Sequence, residues 1–222
     1  QGTEVRKSVV FSSRRRHTRS GWVTGVQTCA LPICGRFPAV VPDEVQGGAT
    51  ATRLLLEAGH RRIAFVNDAA PSPASVGRLA GYKAALARFD VDFDPSLVLS
   101  VTADQEGGYG AAAQVLATGA TGVFCHNDRT ALGLYDALRE SGKRVPDDIS
   151  VVGFDNQEVI SAHTHPALTT VGLPQYDLGV MGVRTLLRRC GADNDESEIV
   201  SERFEPVHVQ CPAVPRDPVR TL

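Results

Sequence analysis

The sequence has no apolar run long enough for a bilayer and no surplus of either charge, and these two absences remove the simplest partners. Apolar stretches such as Ile63-Ala64-Phe65-Val66 stop after a few residues, far short of the roughly 20 that a spanning helix needs, so no membrane partner is expected. The start of the chain also lacks the charged, apolar and small-residue succession of an export signal, and the expected location is cytoplasmic. Lys and Arg number 23 against 25 Asp and Glu, a net charge of -2; the chain as a whole then has no electrostatic affinity for nucleic acid.

Cysteine pairing is missing as well. Cys29, Cys34, Cys125, Cys190 and Cys211 are odd in number and lack zinc-type spacing, which fits free thiols in a reducing compartment. There is no Gly-x-Ser-x-Gly elbow, no Gly-x-x-x-x-Gly-Lys phosphate loop and no His-Glu-x-x-His, and the Gly-Gly pairs at Gly47 and Gly107 follow no dinucleotide fingerprint. His163 and His165 have no spaced carboxylate or thiol around them and read as loop histidines rather than metal ligands. No metal, no cofactor and no catalysis are expected.

What is present falls into two unlike parts. Residues 1–36 carry the basic run Arg14-Arg15-Arg16-His17-Thr18-Arg19 and then neither a helical nor an alternating period. One reading is a basic arm that contacts phosphates; the other, preferred because the stretch resembles translated sequencing-adapter DNA, is a non-native or disordered segment outside the fold. From Phe37 onward strand-like and helix-like segments alternate, the pattern of a mostly parallel α/β sheet covered by helices. Expected strands are Ala39 to Val41, Ile63 to Val66, Leu97 to Leu99, Gly122 to Cys125, Ile149 to Phe154 and Phe204 to Val209. Expected helices run through Ala49 to Leu56 with Gly59 as the stop, Val76 to Arg88, Gly108 to Leu116, Ala131 to Leu138 closed by Gly142, and Leu178 to Arg189.

Three strands end on the same chemistry: Asn67-Asp68, Asn127-Asp128 and Asp155-Asn156. Ligands of open α/β sheets sit beyond the carboxyl ends of the strands, so these groups converge on one place. Asp can accept two hydroxyls and Asn both accepts and donates, which suits a hydroxyl-rich small molecule. The competing role is a helix cap or turn. Capping is assigned to Asp128, a ligand role to Asn127 and to Asp155, whose charge after an apolar run needs a partner; Asn67 and Asp68 stay open between the two. Arg78 opens a helix on the same sheet edge and can donate a fork of bonds. Tyr109 and Phe154 can offer an aromatic face, although such residues are more often simply core.

Several longer motifs then occur in a fixed order. Gly59-His60-Arg61-Arg62-Ile63-Ala64-Phe65, Ser75-x-x-Arg78-x-x-Gly81-Tyr82, Val123-Phe124-Cys125-His126-Asn127-Asp128, Val145-Pro146-Asp147-Asp148 running on to Asp155-Asn156, and Pro166-Ala167-Leu168-Thr169-Thr170-Val171 resemble the signatures of LacI/GalR transcription regulators. The likeness covers about Val40 to Val209. It implies a two-lobed fold of the type I periplasmic-binding-protein kind, with parallel sheets flanked by helices and an effector, a sugar or nucleobase, between the lobes. By position it implies Arg78, Asn127 and Asp155 as effector ligands and, more loosely, Tyr109. It further implies a homodimer and operator DNA bound through a helix-turn-helix headpiece that is not in this sequence. Set against that pattern, residues 37–222 contain a C-terminal lobe at about 59–168 and an incomplete N-terminal lobe at about 37–58 and 173–200. A transport protein of the same fold is the alternative.

Overall fold

A computed structural model describes residues 38–190, 204–216 and 219–222. The segment 1–36 read as adapter-derived, and the partial lobe beyond residue 190, lie outside the described residues. The elements in chain order are β1 (Val40–Pro42), α1 (Glu44–Glu57), β2 (Ile63–Asp68), α2 (Pro73–Arg88), β3 (Val98–Val101), α3 (Gln105–Ala117), β4 (Gly122–Cys125), α4 (Asp128–Glu140), β5 (Ser150–Asp155), α5 (Glu158–Ser161), β6 (Thr169–Gly172), α6 (Gln175–Cys190), β7 (Val207–Val209) and β8 (Ala213–Val214).

The fold is α/β with parallel sheets flanked by helices. The larger sheet has the order β3-β2-β4-β5-β6-β8; β8 is its antiparallel edge strand, and the pairings among the other five are parallel. Both faces are covered, as parallel sheets require, and strand alternation decides which residue goes where. Ala64, Val66, Val123, Cys125 and Val151 pack under α3 and α4, whereas Ile63, Phe65, Phe124, Val152 and Phe154 pack under α1 and α2. Phe65 and Phe124 are register partners with rings stacked 4.5 Å apart.

Local signals account for the helix ends. Asp43 caps α1 by accepting from the Gln46 amide, and Gly59 after the Ala58 cap takes φ 96°, a conformation that favours glycine. Helix α2 starts three residues before the expected Val76, because Pro73 opens it and Ser72 and Ser75 form a reciprocal capping box. Strands β6 and β8 were not expected from the sequence: β6 spans only four residues, and β8 is a two-residue edge.

Helix α1 also sits elsewhere than the sequence reading placed it. Its Ala51, Leu55 and Leu56 are buried against Phe65, Tyr82 and Phe124, so 44–57 packs on the six-stranded sheet, not with the partial lobe. The reason is the apolar face of α1, which covers the sheet beside α2. What stands apart is the parallel pair β1-β7, with α6 lying on β1. The chain passes between the two sheets three times, near Asp43, Leu173 and Val209, and the crossings are tied together: Asp43 N–H donates to the Val209 carbonyl (2.8 Å), and Gln46 exchanges side-chain bonds with the Cys211 backbone. Among the described residues no helix is long and apolar enough to cross a membrane.

Candidate ligand site

Arg78 reaches the carboxyl edge of the sheet because three features fix the first turns of α2. The Asn67 amide donates to the Ser75 carbonyl at 3.1 Å, the capping box holds Ser72 to Ser75, and glycines let α1 come unusually close. A Cβ at Gly48 would lie 2.4 Å from the Arg78 carbonyl oxygen, and one at Gly81 would lie 2.1 Å from that of Val45. This approach brings Glu44 alongside Arg78. The guanidinium, 5% exposed as a side chain, donates from Nε to Glu44 Oε2 at 2.7 Å, from Nη1 to the His126 carbonyl, and faces Asp155 Oδ1 from Nη2 at 3.5 Å. Its carbon lies 3.6 Å above the centre of the Phe154 ring, a cation–π seat in a desolvated place. Phe154 is thus core on one side and a platform on the other.

Asp155 ends β5 with φ 98°, and Asn156 follows at 54°. Non-glycine residues in this region are strained and persist only where their surroundings hold them. Here the Leu173 amide donates to the Asp155 carbonyl (3.3 Å), Arg216 donates to Asn156 Oδ1 (2.7 Å), and the Gln157 amide donates to Asp128 Oδ2 (2.7 Å). Burial pushes the Asp155 carboxyl above the ordinary aspartate range, with the Arg78 charge opposing that shift. Its side-chain contacts are long, 3.5 Å to Arg78 and 3.3 Å to Gln157 Nε2, so the carboxylate keeps acceptor capacity on a side chain still 20% exposed.

The structure gives the cap of α4 to Asn127, where the sequence reading placed it at Asp128. Asn127 is the cap of α4: its Oδ1 accepts from the Thr130 amide (2.8 Å) and hydroxyl (2.9 Å), and its Nδ2 donates to the Ala103 carbonyl (2.9 Å). Asp128 is fully buried behind the edge, accepting from Thr170 Oγ1 at 2.6 Å as well as from Gln157. Desolvation raises its pKa to about 7 against these two bonds. Asn67 is spent on Ser75 and on His126, whose ring Nδ1 lies 3.0 Å from Asn67 Oδ1. That oxygen also accepts the Asp68 amide (2.9 Å), which assigns the proton to His126 Nδ1. Burial and the Arg78 charge press the His126 pKa down to about 3, leaving the ring neutral.

Tyr109 is not brought to this place. It lies on the outer side of α3, 47% exposed, and its hydroxyl donates to Glu140 at the far end of α4. The residues that do converge are therefore Arg78 and Asp155, joined by Glu44, His126 and Gln157, which sequence reasoning missed. Gln157 showed no signal, but Glu44 stands just ahead of the Gly47-Gly48 pair, and paired glycines inside a helix are a signal of close helix packing. Beyond Asp155 the edge opens into a cleft of about 810 Å³ lined by Arg129, Gln157, Leu173 and Tyr176. Among the described residues no cluster of His, Cys, Asp and Glu is arranged to hold a metal.

A parallel sheet with a paired acid and guanidinium at its carboxyl edge, beside triple crossovers to a second sheet, defines a binding domain for small polar molecules. The comparisons agree on the kind. Residues 52–209 match the periplasmic binding protein-like domain family. The chain is 33% identical over 158 residues to the ribose operon repressor of Haemophilus influenzae, covering 70% of this chain and 47% of that protein. It is 35% identical over 193 residues to the transcriptional repressor PurR of Vibrio atlanticus, covering 86% and 55%. A LacI family regulator from Enterococcus faecium with bound ribose superposes with a TM-score of 0.73 at 33% identity, covering 85% of this chain and 67% of the other. The chain belongs to the periplasmic binding protein-like family and, within it, to the LacI-type transcription regulators. It spans about half the length of the curated relatives it matches.

Proposed function

We propose that this chain is the effector-sensing domain of a LacI-type regulator, binding a small sugar-like or nucleobase-like molecule whose occupancy controls operator DNA binding elsewhere in the protein. The observation that carries this is the meeting of Asp155 and Arg78 at the carboxyl edge of the sheet, next to the three crossings. Asp155 accepts effector hydroxyls, the unused N–H groups of Arg78 donate to effector oxygens, and Asn127, as the cap of α4, holds the edge between them with one amide hydrogen left over. An effector spanning the six-stranded sheet and the β1-β7 side stabilises one arrangement of the two, which is what couples occupancy to a distant headpiece. The relatives named above are regulators, which favours this role over transport. Residues 37–222 form the sensing unit of a cytoplasmic, homodimeric protein that catalyses no reaction and needs no cofactor.

The test uses the regulator complete with its DNA-reading part. Asp155→Ala is expected to abolish the effector response in an operator-binding assay while operator affinity without effector stays unchanged. A variant that still responds to effector overturns the assignment.

A further inference from the structure

The charge of the cleft says more about its occupant than the pairing of Arg78 alone. Three of the five N–H donors of Arg78 already point at protein acceptors, and two of those acceptors are carboxylates. Glu44, 13% exposed, holds the Nε edge at 2.7 Å; Asp155 stands on the other side. Toward the opening, Glu158 and Asp177 line the cleft and Arg129 is the one further cation among its described residues. Counting Glu44 and Arg78 behind Asp155, four carboxylates stand against three guanidinium groups, those of Arg78, Arg129 and Arg216, the last bonded to Asn156 Oδ1, so the region keeps a net negative charge even though it contains a buried arginine.

We infer that the site takes an uncharged, hydroxyl-bearing effector and turns away phosphate esters and nucleotides, and that Glu44 sets this preference by neutralising Arg78. The inference rests on the effector-site reading above. A hydroxyl can donate to Asp155 and accept from Arg78 without disturbing the Glu44 pair. A phosphate ester carries a charge of about -1.5 to -2; it has to displace Glu44 or Asp155 from the guanidinium or lie against both in a half-buried place. One unit charge at about 6 Å, at an effective dielectric constant near 20, changes Kd by about tenfold or more. The distinction lies in Glu44: a neutral residue there leaves the arginine free to act as an anion trap.

The experiment follows the Gln157 backbone amide and the Arg78 Nε–H by NMR while the chain and Glu44→Gln are titrated, into the millimolar range, with D-ribose, ribose 5-phosphate and inorganic phosphate. The expected result is that the unmutated chain responds to D-ribose and at least about tenfold more weakly to either phosphate, and that E44Q gains at least about tenfold in phosphate affinity. If the unmutated chain binds ribose 5-phosphate as tightly as ribose, the charge inference is overturned and the effector site stands. If a folded E44Q gains no phosphate affinity, Glu44 is not the discriminating residue. If no compound moves either signal in either protein, this inference is overturned, while the effector-site reading is decided by the operator assay of Asp155→Ala. Circular dichroism checks that E44Q is folded; should it not be, the comparison of the two sugars on the unmutated chain decides alone.

Discussion

Asp128→Asn isolates the energetics of the edge in a single pair of measurements. Desolvation moves the Asp128 carboxyl from its ordinary 3.8 to about 7, against the bonds from Thr170 and Gln157. The native state therefore keeps a proton that the unfolded chain releases, and the stabilisation this gives is complete below pH 3.8 and lost as pH rises through about 7. Each pH unit inside that window is worth about 1.4 kcal/mol, so between about pH 5 and pH 8 the ionisation of Asp128 costs the fold about 2–3 kcal/mol. His126, pressed down to about 3, works in the opposite sense by weakening the fold as pH falls below 6.5, and so does buried His60, so a raw pH profile mixes opposing contributions. The difference between the chain and Asp128→Asn cancels both histidines. Asn keeps an acceptor for the Gln157 amide and stays neutral, so urea unfolding is expected to show D128N gaining on the unmutated chain by about 2–3 kcal/mol on going from about pH 5 to about pH 8. A gain below about 0.5 kcal/mol refutes the reasoning, because it means the two hydrogen bonds outweigh burial and Asp128 is ionised throughout.

Three further substitutions probe the other supports of the site. Gly48→Ala puts a methyl 2.4 Å from the Arg78 carbonyl oxygen and is expected to lower stability by about 3 kcal/mol in thermal unfolding, since backbone cannot yield as a side chain does; an unchanged Tm means α1 and α2 are not so close. Arg78→Met strips Glu44 and Asp155 of their partner and should cost about 3–5 kcal/mol at neutral pH, with part of the loss recovered in the double variant Arg78→Met, Glu44→Gln; no recovery argues against the pair as a coupled unit. Tyr109→Phe, which removes only an exposed bond to Glu140, is expected to leave both stability and effector response unchanged, and a lost response restores Tyr109 to the site.

Much of the scaffold was legible because its signals are local. Gly59 ended α1, and the polar residues after the apolar runs marked the carboxyl ends of the strands. The start of α2 is written in Ser72, Pro73 and Ser75, a capping signal that apolar spacing alone passes over, which is why the expected start fell at Val76. Less legible was anything that depends on which neighbour a side chain meets. Strand β6 carries the β-branched run Thr169-Thr170-Val171, but four residues between Pro166 and Pro174 are a short signal, and the strand is fixed by pairing with β5 and β8. Helix α1 changed lobes for the same reason: its sequence shows an apolar face but not the surface that face covers.

The shift of the α4 cap from Asp128 to Asn127 shows how fine that dependence is. Both residues can cap a helix and both can bind a hydroxyl, so residue type does not separate them. Position along the turn does: Asn127 adopts the extended backbone of a cap at φ -147°, ψ 175°, while Asp128, one residue on, is already helical and is directed back under β5 and β6. Gly153 completes the arrangement, since a Cβ there would lie 2.3 Å from Asp128 Oδ1. A glycine in the middle of a buried strand was the sequence signal for that inward carboxylate, because strand interiors admit glycine where another group needs the space. Asp128 in turn holds the Gln157 amide two residues beyond Asp155, so the residue that looked like a cap is the one that keeps the strained Asp155 turn in place.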